Sequence, residues 1–134
     1  MDSFHELDQY LAVSYNLNLW SDDAIDKASQ LLDEFTDVEW LLLKTAWRNR
    51  PIEWQIKLAD AVYGSDKPRV IGLLCEMLTS GEIKVAMAAV ESLEAKDYMW
   101  TPDVTLENAL RKLLKSVEPG EQHLVQLLLN RIVK

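Results

Sequence analysis

From Phe4 to Ile132 the large apolar residues return every three or four positions. That spacing gathers them on one side of a helix and leaves no stretch with the strict alternation of a half-buried strand. Phe4, Leu7, Leu11 and Tyr15 mark a first helix, opened by Ser3 as its cap and broken at Asn16 and Asn18. Ser21 caps a second, with Asp22 and Asp23 in the first turn, where carboxylates complement the helix dipole. Its stripe is Ala24, Ile25, Ala28, Leu31, Leu32 and Phe35. Thr36 and Glu39 have the spacing of a capping box, each satisfying a free backbone N–H. Trp40, Leu41, Leu42, Leu43 and Trp47 carry the third helix to about Asn49, because the residue before Pro51 is disfavoured as helical. Pro51 suits the first turn of a fourth helix running through Ile52, Ile56, Leu58, Ala59 and Val62, with Gly64 as its left-handed stop.

The second half continues the rhythm. Pro68 opens a fifth helix with Val70, Ile71, Leu73, Leu74, Met77 and Leu78, and Gly81 closes it. Val85 to Leu93 define a sixth. A looser segment, Lys96 to Trp100, precedes a seventh that starts at Thr101-Pro102 or Thr105 and carries Leu106, Leu110, Leu113, Leu114 and Val117. Pro119-Gly120 reads as a turn, and an eighth helix runs from about Glu121 to Ile132. The fold class is therefore all-α, with about eight helices in antiparallel hairpins, because short turns make consecutive helices neighbours. A chain of 134 residues with only four Gly and four Pro fits one such domain, residues 1–134, able to bury its own core without a disulfide or metal.

Residues 68–95 are the clearest hairpin. The first helix is rich in large aliphatics, and the second, with Val85, Ala88, Ala89 and Leu93, is small enough to approach its neighbours closely. This resembles a HEAT repeat, although Ala86 stands where an arginine usually follows the valine. The pairs 51–79 and 103–132 keep the hairpin rhythm with less likeness. The expected architecture is a short HEAT-like α-α superhelical stack, and the alternative is an irregular bundle.

Charge narrows the function. The net charge is −8, yet residues 1–40 hold ten of the acids and a single base, Lys27. The remaining chain is close to neutral, with 12 acids and 13 bases. Such a field repels nucleic acid and anionic membrane and attracts a basic partner. Arg48, Arg50, Lys57, Lys67 and Arg69 lie near Trp47 and Trp54, a mixture that can bind nucleic acid. Stacking of arginine on tryptophan within the fold accounts for the same pattern. No apolar run approaches the ~20 residues of a membrane span, and the acidic first residues differ from a secretory signal. A lone cysteine, Cys75, in an apolar run is expected to be a buried reduced thiol, which fits a cytoplasmic location.

No catalytic constellation is visible. His5 and His123 sit in the first and last helices without metal-ligand spacing, and the glycines match no phosphate-binding loop. No cofactor or metal is expected, and paired acids such as Asp22 and Asp26 have nothing beside them to tune a catalytic pKa. Binding is the remaining role. Asp22, Asp23, Asp26, Asp33, Glu34 and Asp37 are candidate partner-binding acids. Trp20, Tyr98 and Trp100, at helix junctions, are candidate aromatic anchors, whereas Trp40 and Trp47 fall on a core face.

One set of segments goes further. Trp40-Leu41-Leu42-Leu43, Trp47-Arg48-Asn49-Arg50-Pro51-Ile52-Glu53, Leu58-Ala59-Asp60-Ala61-Val62 and Pro68-Arg69-Val70-Ile71 together resemble small HEAT-like bacterial immunity proteins of contact-dependent growth-inhibition and polymorphic toxin systems. Arg48 or Arg50 stands where that pattern has histidine, so no residue role carries over there. The resemblance covers roughly residues 38–100. It implies an inhibitor that binds a cognate toxin domain, in some systems a nuclease, and blocks it without turnover. A HEAT-like adaptor with another protein partner is the alternative.

Overall fold

The computed structural model describes residues 2–12, 22–63, 69–95 and 104–132. Among the described residues there are eight α-helices and no strand: α1 (Ser3–Ala12), α2 (Asp22–Asp33), α3 (Asp37–Ala46), α4 (Ile52–Tyr63), α5 (Arg69–Met77), α6 (Ile83–Ala95), α7 (Val104–Leu114) and α8 (Pro119–Ile132). The all-α reading is correct. The expected end of the first helix at Tyr15, the Ser21 cap, the Gly64 stop, the Pro68 start and the Lys96–Pro102 region lie outside the described residues.

Helix ends follow local chemistry, with five differences from the sequence reading. Asp2, rather than Ser3, caps α1, its Oδ1 accepting from the His5 N–H at 2.8 Å. A carboxylate at this position also complements the dipole, which a serine hydroxyl does less strongly. The third helix ends at Ala46 and tightens into a 3-10 turn, Trp47–Asn49, where the Arg50 N–H reaches the Trp47 carbonyl at 3.2 Å. Pro119 and Gly120 belong to α8, since a proline loses nothing in the first helical turn. Val117 lies in the turn after α7 and is nonetheless buried. The Thr36–Glu39 capping box is present as expected. Helix α5 ends at Met77 and a hydrogen-bonded turn runs on to Ser80, so Gly81, with φ +88°, takes its left-handed conformation in the connection to α6 and not at the helix stop expected of it.

One apolar cluster runs from Phe4 to Leu129. The even-numbered helices pack in succession, α2 on α4, α4 on α6 and α6 on α8. Small residues allow it: Ala28, Ala59, Ala61 and Ala89 are wholly buried. Serines reinforce the same row, Ser29 Oγ donating to the Ala61 carbonyl at 2.7 Å and Ser92 Oγ to the Ala59 carbonyl at 2.8 Å. A helical carbonyl has a second lone pair, so it can accept a serine hydroxyl alongside a helical N–H. Helix α1 covers α2, α3 and α4 on one side; α5 and α7 pair with α6 and α8.

Helices α3 and α5 are joined differently. Asp37, first in α3, pairs with Arg69, first in α5; near their other ends Lys44 Nζ lies 3.9 Å from Glu76 Oε2. The two helices therefore run side by side in the same direction. A groove of about 550 Å³ separates them, lined by Asp37, Trp40, Leu41, Lys44, Arg69, Gly72 and Leu73.

Candidate functional site

The acids of the N-terminal third divide into two groups. Asp2, Asp8 and Glu39 build the fold. Asp8 accepts two parallel bonds from Arg50, both 2.8 Å, and its backbone carbonyl accepts from Trp54 Nε1 at 3.2 Å. That bidentate pair raises the Arg50 pKa, against a smaller lowering by burial. Glu39 is only 7% exposed. One oxygen accepts from the Thr36 N–H at 2.9 Å, and the other crosses to the Phe4 N–H at 2.8 Å. Burial pushes the Glu39 carboxyl up, but the bonds from Thr36 and Phe4 together outweigh it and hold the pKa below the ordinary glutamate value. One carboxylate thus closes the N-termini of both α1 and α3. Asp2 is likewise lowered, chiefly by its bond from the His5 backbone.

The second group faces outward. Asp23, Asp26 and Asp33 are exposed along α2, on the side opposite the buried Ala28, Ser29, Leu31 and Leu32. Ten residues of helix separate the first from the last, roughly 15 Å. Glu34 and Asp37 follow at the turn into α3 and are also exposed, Glu34 accepting from Ser3 Oγ at 3.4 Å and Asp37 holding Arg69. Asp22 begins α2, but its side chain is outside the described residues, as are Trp20, Tyr98 and Trp100. Five of the nine candidate residues therefore form one continuous outward edge, α2 to the start of α3.

The basic–aromatic cluster is absorbed by the fold. The Arg48 guanidinium sits 4.5 Å over the Trp47 ring and donates to Thr79 Oγ1 at 3.3 Å. Arg50 lies 5.6 Å over Trp54, and Lys57 is buried, its Nζ 3.4 Å from the Leu11 carbonyl. With Arg69 paired to Asp37, these cations do not make a free basic track for a phosphate backbone. Lys67 lies outside the described residues. Trp40, Trp47 and Trp54 are core residues. Cys75 corrects the sequence reading: it is half-buried, packed at the edge of the core, because its helix turns Leu74 and Met77 inward instead.

A feature missed from the sequence lies on α3. Leu41 and Leu42, two of the residues that mark the third helix in the sequence, are 63% and 39% exposed, and Val38 is 67% exposed. Four successive apolar residues, 40–43, sweep most of the way round a helix of 3.6 residues per turn, so they cannot all face one core. Trp40, Leu43 and Trp47 turn inward and leave an outward aliphatic stripe at i, i+3, i+4. The length of that run was the signal.

Among the described residues no group of three His, Cys, Asp or Glu side chains could hold a metal ion, and no helix is long and apolar enough to cross a membrane. A small cleft of about 140 Å³ between α6 and α7 is lined mostly by aliphatic groups. A cavity of about 350 Å³ beside Trp47 holds Arg48, Arg50, Gln55, Ser80 and Glu82, but its guanidiniums already have the partners named above. No protein-family model, curated protein or solved structure matches this chain.

Proposed function

We propose that the chain is an immunity protein that binds a basic bacterial toxin domain in the cytoplasm and blocks it by occlusion. The observation that carries the reading is the acidic edge formed by Asp23, Asp26, Asp33, Glu34 and Asp37, which stays at the surface while Asp2, Asp8 and Glu39 serve the fold. A solvated edge of one sign accelerates encounter with a basic protein and selects against acidic ones. The likeness of the Trp40–Ile71 segments to immunity proteins supplies the kind of partner. The succession α2, α4, α6, α8 supports reading the architecture as a short HEAT-like stack.

The test is co-expression with the toxin domain encoded beside its gene. The expected result is restored growth and co-purification of the two proteins; a chain that does neither is not an immunity protein for that toxin. Charge reversal tests the mechanism. Asp23→Lys with Asp26→Lys and Asp33→Lys is expected to slow association about ten-fold or more at low salt and to flatten its salt dependence. An unchanged association rate and salt slope would show that the edge serves only to keep the protein solvated.

A further inference from the structure

We infer that the cavity beside Trp47 binds a small zwitterion of amino-acid size, its carboxylate held by Arg48 and its ammonium by Glu82 and Gln55. The cavity sits where two connections meet. Helices α3 and α5 run in the same direction, so the 3-10 turn after α3 and the turn after α5 lie at one end of the pair. The bond from Arg48 to Thr79 Oγ1, 31 residues apart in the chain, ties the two together. Trp47, Arg48, Ile52 and Gln55 border the resulting space of about 350 Å³ on one side, Ser80 and Glu82 on the other. That volume is at the small end of the ~300–1,000 Å³ of small-molecule sites.

The first observation is a pair of opposite charges left apart. The partners of Arg48, the Trp47 ring and a threonine hydroxyl, are both neutral, and among the described residues no carboxylate balances it. Ser80 Oγ fixes the Glu82 backbone, accepting from its N–H at 3.1 Å and donating to its carbonyl at 3.2 Å. The Glu82 carboxylate itself has no partner among the described residues. A guanidinium and a carboxylate thus border one cavity without pairing with each other. Arg50, also on the wall, is neutralised by Asp8 and adds no net charge. A ligand with both charges satisfies both walls, whereas a simple anion or cation faces one like charge.

The second observation is Gln55. It is only 6% exposed, and its Nε2 donates to the Arg50 carbonyl at 2.8 Å. Its Oε1 accepts no bond among the described residues, yet it is not sealed from the surface. Nearly buried amide oxygens are ordinarily hydrogen-bonded. On the wall of this cavity the missing donor comes from outside the chain, and an ammonium supplies it. Ile52, 40% exposed, offers an aliphatic surface for the rest of the ligand. Arg48 and Glu82 are both exposed, so their contacts are weak and the dissociation constant is on the order of 1 mM. The site shares no residue with the acidic edge of α2 and α3, so its test is independent of the toxin reading.

Leucine is the probe, titrated to about 20 mM into the isotope-labelled full chain and followed by NMR. The expected result is a saturable shift of the Gln55 side-chain amide, the Arg48 Nε–H and the Glu82 backbone N–H. Isocaproate and isoamylamine keep the leucine side chain but lack its ammonium and its carboxylate respectively. Each is expected to bind about ten-fold more weakly or less tightly still. Arg48→Gln and Glu82→Gln, both at exposed positions, are each expected to weaken leucine binding by about the same factor while circular dichroism stays that of the parent. A titration without saturable shifts overturns the proposal. So do Arg48→Gln and Glu82→Gln proteins that bind leucine as the parent does. Isocaproate or isoamylamine binding as tightly as leucine would show that the cavity reads a single charge, which overturns the zwitterion assignment.

Discussion

Replacing Trp47 with alanine is expected to lower the free energy of unfolding by about 3–5 kcal/mol, the range for emptying a buried aromatic site. Trp47 is the largest side chain with no solvent exposure, set where α3 tightens into its 3-10 turn. Arg48 lies over its ring, and the Asp8–Arg50 pair and Trp54 follow within the next seven residues. A cavity there removes packing from the joint that aims α3 into α4. The ring also carries a cost of its own, because its buried Nε1–H has no hydrogen-bond partner among the described residues. Trp47→Phe is therefore expected to lose less than half as much as Trp47→Ala, since it keeps an aromatic ring and deletes the unpaired donor. Urea titration of the three proteins measures both. Equal losses for Phe and Ala would mean that indole shape, rather than buried volume, holds the site.

Glu39→Ala is expected to cost about 2–5 kcal/mol, because it strands the N–H groups of Thr36 and Phe4 at two helix N-termini, each lost bond to a charged acceptor leaving an unsatisfied donor. Glu39→Gln does not rescue both. Its single carbonyl oxygen can serve one donor, and its NH₂ group then faces the other. The same carboxylate makes stability depend on pH. Its folded pKa is depressed, so as pH falls the unfolded chain takes up this proton first. Its contribution is complete above the ordinary glutamate value, about 4.3, and is lost as pH falls through the lower folded value. The stability gap between the parent and Glu39→Gln, followed by urea unfolding from neutral pH to about pH 3, should close over that acidic window. Parallel curves would show that the proton is not linked to folding at this site.

Acidic composition concealed this division of labour. The ten acids of residues 1–40 read as one electrostatic feature, yet Glu39, Asp8 and Asp2 are committed to backbone or guanidinium partners. Only the Glu39 bond to Thr36 was legible beforehand, since a capping box is local, three residues apart. The bond from Phe4 spans 35 residues, and the Asp8–Arg50 pair spans 42. Which helices lie beside one another decides such contacts, and no spacing rule carries that information.

What the sequence determined by itself is the set of helices and most of their ends. Three-to-four periodicity, a capping box at Thr36–Glu39 and a proline just before α4 act within one helical turn of where they stand. The stacking of Arg48 and Arg50 on tryptophans was likewise within reach, because those side chains are near neighbours in the chain. Only the tertiary structure decided which side of a two-sided helix is inward. In the Trp40–Leu43 run it buried Trp40 and Leu43 and left Leu41 and Leu42 outside, and it opened a groove at Gly72. The reason is geometric: a helix in this stack has one core to face, and the direction of that core is set by neighbours tens of residues away.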